Sequence, residues 1–156
     1  MSVCLGLASI TGAIVTAAVG TVSPDSLKTY IGLNYSPMEQ TQFKLEEPMG
    51  SFGIEYDVHK NLRLFVEHIS SPMQCNDHPG INHAGVKLLA PINDFTVYSG
   101  ISINHSGFDS KDKFDGPLGS IGIEYGNDIK IFAEYLTALD DIDEGRAAVG
   151  FKVFFK

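Results

Sequence analysis

The second half of this sequence repeats the first, strand for strand, and the repeated segments alternate apolar and polar residues. The segment Gly50–Tyr56 returns as Gly119–Tyr125, and Leu62–Ser70 returns as Ile129–Thr137. A weaker pair of segments precedes these two, and another follows them. Because side chains along a β-strand point alternately to opposite faces, this pattern indicates strands that each have one apolar face. Two units of four strands predict an all-β fold, a closed antiparallel up-and-down barrel of about eight strands.

The alternating segments number eight, and none has the 3.6-residue period of a helix. They are Thr29–Ser36, Ser51–Tyr56, Leu62–Ser70, Asn82–Leu89, Phe95–Asn104, Leu118–Tyr125, Ile129–Thr137 and Arg146–Phe155. Three connections are short, at Asp57–Asn61, Ala90–Asp94 and Gly126–Asp128. The other connections are mostly longer and carry many of the acidic, Pro and Gly residues. Short turns on one rim and long loops on the other are typical of outer-membrane barrels.

The N-terminal segment differs in character from the rest of the chain. Residues 1–20 are apolar, carry no charged side chain and end in small residues, as a secretory signal peptide does. We therefore predict a signal at 1–20 and a single barrel domain at 21–156. Because no Lys or Arg precedes the apolar core, a retained membrane anchor or a buried helix stays open. Loss of Cys4 with the signal would leave Cys75 alone, which excludes a disulfide framework.

The contents of the two strand faces indicate which face points inward. One face is apolar or aromatic and carries no charge. The other combines glycines with both acids and bases: Glu55, Arg63, Glu67, Lys87, Glu124, Lys130, Glu134 and Lys152. In a soluble lipocalin-like carrier the apolar face would line the lumen, whereas in a membrane barrel the faces exchange roles. Glycines make room in a narrow lumen and buried charges must pair there, so we predict a transmembrane barrel with an ion-paired lumen and keep the soluble carrier as an alternative.

From Lys28 to Lys156 the sequence resembles the small eight-stranded outer-membrane barrels of the outer-membrane protein A and X type. The resemblance lies in strand count, loop asymmetry and the final strand, where Ala147–Phe155 alternates like the C-terminal assembly signal of that class. Lys156 departs from that signal, which normally finishes on the aromatic residue. The resemblance implies an outer-membrane monomer with a plugged lumen and a surface or envelope role. Its partners would be the outer-membrane assembly machinery, outer-membrane lipids and lipopolysaccharide.

Charge and motif content exclude several other classes of function. The formal net charge is −8 and no Lys/Arg cluster is present, which argues against nucleic acid as a partner. No glycine-rich phosphate loop occurs, and we expect no cofactor. Cys75, Asp77, His78 and His83 match no tetrahedral ligand spacing, so we expect no metal.

One local stretch indicates possible chemistry on the barrel exterior. His68 and Ser70 lie two residues apart on one predicted strand and therefore share its lipid-facing side. Together with Asn82 they resemble the active-site hairpin of lipid A 3-O-deacylases, in which a His-x-Ser pair and a following acidic residue form a triad. The resemblance implies His68 as general base, Ser70 as nucleophile and Asn82 in the position of the acid. Asn82 brings no charge, and the alternative is that His68 is an interfacial residue equivalent to Tyr135.

Overall fold

The computed structural model describes residues 26–36, 48–70, 81–105, 116–140 and 145–155. It contains eight strands: β1 (Leu27–Tyr35), β2 (Met49–His59), β3 (Leu62–Ser70), β4 (Ile81–Ile92), β5 (Phe95–His105), β6 (Gly116–Gly126), β7 (Ile129–Ala138) and β8 (Gly145–Phe155). Each strand pairs antiparallel with the next, and β8 pairs with β1 to close the barrel. Closure leaves the sheet without an unpaired edge. The predicted all-β fold and the predicted strand count are confirmed.

No described segment is a helix long and apolar enough to cross a membrane. The predicted signal at residues 1–20 lies outside the described residues, as do most of the predicted long connections.

The strands run further into the short turns than the sequence pattern indicates. β4 continues through Pro91, so the turn to β5 is only Asn93–Asp94, and Asn93 takes a left-handed φ of 55° that asparagine tolerates better than most residues. The backbone N–H of Leu89 donates to the carbonyl of Asn61 at 2.9 Å. The nitrogen of Pro91, two residues later, points to the same side, where β3 has already ended. A proline is tolerated there because no neighbouring strand needs its missing donor.

Burial alternates along the strands and shows which face is the interior. Along β3, Arg63 and Glu67 are buried, whereas Val66 between them is exposed. Among the exposed apolar side chains are Ile31, Leu88, Ile101, Ile103, Ile121, Ile129 and Ile131. The apolar face therefore points outward and the charged face inward. This arrangement is the reverse of the one that a soluble lipocalin-like carrier requires, so the structure does not favour that alternative.

Two interior glycines make room for two tyrosines that reach into the lumen. A Cβ at Gly53 would lie 2.6 Å from the hydroxyl of Tyr30, and a Cβ at Gly122 would lie 2.5 Å from the ring of Tyr98. Any side chain at either glycine would displace the aromatic ring beside it. The glycines of the interior face therefore decide which large side chains can fill the barrel.

The interior also contains an apolar layer that the sequence analysis did not foresee. The strand ends next to the long connections carry buried apolar side chains on the interior face: Met49, Ile69, Ile81, Leu118, Leu136 and Ala138. Ile69 is opposite Ile81, and Leu118 is opposite Ala138 in the strand register. The lumen thus has a largely apolar layer toward the long connections, in which Arg146 lies opposite Leu136, and most of its charged side chains toward the short turns. Ion pairs alone do not fill it.

Candidate functional site

Arg63 is the centre of a group of buried charges near the short-turn rim. Its Nη1 lies 2.9 Å from Glu124 Oε1 and 3.1 Å from Glu55 Oε2, and its Nε donates to Asp57 Oδ1 at 2.7 Å. The Glu55 contact is an ion pair without hydrogen-bond geometry. Asp57 also accepts a hydrogen bond from Lys28 Nζ at 3.1 Å. One guanidinium therefore neutralises carboxylates from two strands on opposite sides of the lumen.

Two lysines continue this group of charges. Lys130 Nζ donates to Glu124 Oε1 at 2.6 Å. Lys152 Nζ lies between two carboxylates, 3.2 Å from Glu67 Oε1 and 3.6 Å from Glu55 Oε1. Each of these side chains is at least nine-tenths buried. Charges this far from water are tolerated only when they are paired.

Lys87 and Lys152 occupy equivalent surroundings in the two halves of the barrel. Lys87 Nζ lies 4.2 Å from the ring centroid of Tyr98, and Lys152 Nζ lies 4.2 Å from that of Tyr30. Lys87 also donates to Glu134 Oε2 at 3.0 Å, and the Tyr98 hydroxyl donates to the same oxygen at 2.9 Å. A carboxylate and an aromatic face together replace the water around each ammonium group.

All eight charged residues singled out from the sequence lie on the interior face, and each has an opposite charge at 2.6–3.6 Å. We call Glu55, Arg63, Glu67, Lys87, Glu124, Lys130, Glu134 and Lys152 the lumen network. Sequence analysis did not assign the other buried polar side chains of this face to the interior; they include Asn34, Ser51, His83, Ser102, Asn104 and Arg146.

His83 and Ser102 extend the lumen network toward the apolar layer. His83 Nε2 lies 3.1 Å from Glu67 Oε2, and its Nδ1 lies 3.3 Å from Ser102 Oγ. Both side chains are buried. The sequence signal that places His83 inside is its spacing of four residues from Lys87, which gives the two side chains the same strand face.

On the barrel exterior, the structure brings together two of the three residues of the proposed triad. His68 on β3 is opposite Asn82 on β4, and His68 Nδ1 lies 2.8 Å from Asn82 Oδ1. An amide oxygen only accepts, so in this arrangement Nδ1 carries the hydrogen and Nε2 of a neutral ring is left as an acceptor. The ring of Phe52, on the other side of His68, lies 5.1 Å away between centroids. The imidazole is therefore held from both neighbouring strands.

Ser70 lies two residues from His68 on the same exterior face. Within the described strands, no hydrogen bond joins Ser70 to His68. In the described strands, the structure thus contains an oriented imidazole but no hydrogen bond between this base and the proposed nucleophile.

Within the described part of the chain, no three His, Cys, Asp or Glu side chains come together as a metal site would need. Cys75, Asp77 and His78, three of the residues weighed as ligands, lie outside the described residues. The fourth, His83, contacts Glu67 and Ser102 inside the barrel.

Two solved structures align with most of this chain. One is a structure from the de novo design of transmembrane β-barrels. It aligns with a TM-score of 0.57 at 16% identity, over 85% of this chain and 98% of that chain. The outer membrane protein Ail of Yersinia pestis, in a phospholipid bilayer nanodisc, aligns with a TM-score of 0.41 at 15% identity, over 83% of this chain and 98% of that chain. No family model matches the sequence, and no curated protein matches it significantly. By fold, the chain is an eight-stranded barrel of the transmembrane type.

Proposed function

We propose that this protein is an integral outer-membrane β-barrel with a closed, ion-paired lumen and a surface or envelope role. The observation that carries the proposal is the apolar exterior, where Ile31, Ile101 and Ile121 are each more than half exposed. Water would disfavour so much exposed apolar surface, whereas lipid tails accept it. The strands contain 9–12 residues. That length suits a bilayer, which a strand tilted by about 45° crosses in about 9–11 residues.

Aromatic side chains on the exterior support this orientation in a bilayer. Among the exposed aromatic residues, Phe95, Tyr125 and Phe155 lie near the short-turn rim, and Tyr35 and Tyr135 lie toward the long connections. Aromatic residues at two levels are typical of the two membrane–water interfaces of a barrel. We infer that the long connections face the cell exterior and contact lipopolysaccharide, and that the barrel is a monomer inserted by the outer-membrane assembly machinery.

The filled lumen favours an anchoring or envelope role over transport. Met49 and Leu118 are fully buried in the apolar layer, and Arg63 is bound to carboxylates from β2 and β6. A solute would have to displace both layers to cross the barrel. The specific partner would therefore bind the long connections or the exterior surface.

A membrane barrel should depend on detergent and should keep its fold during electrophoresis without heating. We expect the purified full chain to stay in solution only with detergent or lipid. We also expect the unboiled sample to migrate differently from the boiled one, because the closed sheet resists detergent until it is heated. Circular dichroism of both samples would show that the migration follows the β-structure. A chain that remains monomeric and folded in buffer without detergent would contradict the proposal.

A second candidate function, an esterase acting on acylated lipid, is favoured by one observation. The 2.8 Å contact between His68 Nδ1 and Asn82 Oδ1 orients an imidazole on the lipid-facing surface, close to the long connections. This contact corresponds to the base and its orienting group in a triad. Ser70 is two residues after His68 on the same face of β3. Its hydroxyl is therefore the candidate nucleophile for an ester bound beside the ring.

Release of a fatty acid from lipid A in detergent would test the esterase. Ser70→Ala and His68→Ala should each abolish the release, because a serine hydroxyl is a weak nucleophile without an adjacent base. Asn82→Glu should raise the rate, since a carboxylate stabilises the protonated imidazole. Thr137→Ala is the matched control, because Thr137 is the counterpart of Ser70 in the second half and has no histidine beside it. Equal release by wild-type protein and Ser70→Ala would eliminate the enzyme and leave His68 as an interfacial residue.

A further inference from the structure

The barrel exterior has a gap at Gly50, close to the rim of the long connections. Gly50 lies on the exterior face of β2, opposite Leu33 of β1 and Ser70 of β3 in the strand register. Within the described residues, and apart from its chain neighbours, the only atom within 4 Å of a Cβ placed at Gly50 would be the Ser70 carbonyl oxygen, at 3.9 Å. The glycine therefore leaves room for an apolar group on the lipid-facing surface.

At the equivalent position in the second half of the chain, Gly119, an aliphatic side chain fills the gap. Leu139 Cδ2 would lie 2.8 Å from a Cβ placed at Gly119, and Gly119 is buried although it belongs to the exterior face. The backbone N–H of Leu139 donates to the carbonyl of Pro117 at 3.0 Å, which holds the leucine over the glycine. A gap of this kind therefore accepts a branched aliphatic group.

The first half of the chain cannot hold such a cover in the same way. In the repeat, Gly50 corresponds to Gly119 and Pro72 corresponds to Leu139. Pro72 lies outside the described residues, but a proline has no backbone N–H and cannot donate the hydrogen bond that Leu139 donates. Gly50 is only half-buried, whereas Gly119 is buried. The hydrogen bond that fixes the aliphatic cover in the second half is thus not available in the first.

We propose that the Gly50 gap binds one acyl chain of lipid A, which supplies the aliphatic group that Leu139 supplies at Gly119. Two of its neighbours are apolar, since the side chains of Leu33 and Phe52 are 42% and 53% exposed on the same exterior face. The third neighbour is Ser70, whose hydroxyl can donate to the carbonyl at the head of the acyl chain. An apolar wall and a hydroxyl side by side suit the region where an acyl chain joins its head group.

The position of the gap along the barrel favours lipid A over a phospholipid. This choice rests on the orientation proposed above, in which the long connections face the cell exterior and the gap lies in the leaflet that contains lipopolysaccharide. Lipid A also carries more acyl chains per head group than a two-chain phospholipid. One chain can enter the gap while others lie on the adjacent apolar surface of Leu33, Tyr35 and Phe52. Binding requires no cleavage of the lipid, so the site does not depend on the esterase.

Native mass spectrometry of the full chain, purified in detergent, would test the proposal. The protein is incubated with lipid A or, separately, with phosphatidylethanolamine, and retained lipid is counted as added mass. We expect the wild-type chain to retain one lipid A molecule, and to retain it more tightly than the phospholipid. Gly50→Leu should weaken the retention of lipid A about tenfold, because the new side chain excludes about two methylene groups of the acyl chain from the gap.

Ala133→Leu is the matched control, because it introduces the same side chain at an exposed exterior position of β7. It should leave the retention unchanged. Should Gly50→Leu not fold, Gly50→Ala fits the 3.9 Å space and should weaken the retention about threefold.

The proposal is overturned if the wild-type chain retains no lipid A, or if the folded Gly50 variants retain it as tightly as the wild type. Equal retention of the two lipids by the wild-type chain would overturn the choice of lipid A. Hydrolysis would appear as a bound lipid of lower mass, whereas loss of the binding site would appear as loss of the adduct. Failure of the esterase and failure of the binding site are therefore separate results.

Discussion

Replacing Arg63 by alanine is expected to lower the free energy of unfolding by about 3–5 kcal/mol. The loss arises because Glu55 and Glu124 would remain buried without their shared guanidinium, which now lies 3.1 Å and 2.9 Å from them. Denaturant unfolding in detergent, followed by far-ultraviolet circular dichroism, measures the change. Tryptophan fluorescence cannot be used because the chain contains no Trp.

Two further variants separate this loss from a general effect of removing a cation. Lys28→Ala removes the outer ion pair of this group, Lys28–Asp57, in which the lysine side chain is 34% exposed. This variant should lower the free energy of unfolding by no more than about 1 kcal/mol. Combining Arg63→Ala with Glu55→Gln should restore part of the stability, because without Arg63 the nearest cation to Glu55 is Lys152 at 3.6 Å, and Lys152 keeps its closer partner Glu67 at 3.2 Å. An unchanged free energy of unfolding in Arg63→Ala would show that the charged face does not behave as an interior.

Placing an arginine at Ile121 is expected to destabilise the barrel in lipid vesicles by about 2–4 kcal/mol, the cost of a cation near the bilayer midplane on the lipid face. Ile121 is the middle residue of β6 and is 59% exposed. In a soluble protein, a charge at such an exposed position would cost almost nothing. The change is measured as the shift in guanidinium unfolding of the vesicle-inserted protein.

Ile92→Arg is the control for depth in the membrane. Ile92 has a similar exposure of 55% but lies at the end of β4, beside the Asn93–Asp94 turn. At an interface the same charge should cost only about 0–1 kcal/mol. If the two variants lose the same stability, the apolar exterior is not immersed in a bilayer at the depth that the strand positions imply.

At the exterior site, the sequence spacing predicted the strand face of each side chain but not the contacts between the side chains. Spacing on one strand places His68 and Ser70 on the same face, and Asn82 joins them only through the register of β3 with β4. The structure forms the His68–Asn82 contact but leaves Ser70 without a hydrogen bond to the ring within the described strands. A two-residue spacing determines the face of a side chain, while a catalytic contact also depends on its rotamer and on neighbouring strands.

The alternation of side chains by itself determined the eight strands, their antiparallel order and the division into an apolar and a charged face, because a period of two is a local property of each strand. Only the tertiary structure decided which charges meet. Arg63 and Glu124 are 61 residues apart in sequence and make contact across the lumen. His83 reaches Ser102 only because β4 and β5 pair in one particular register. Partners of this kind depend on how the closed barrel staggers its strands, and a linear sequence does not specify that stagger residue by residue.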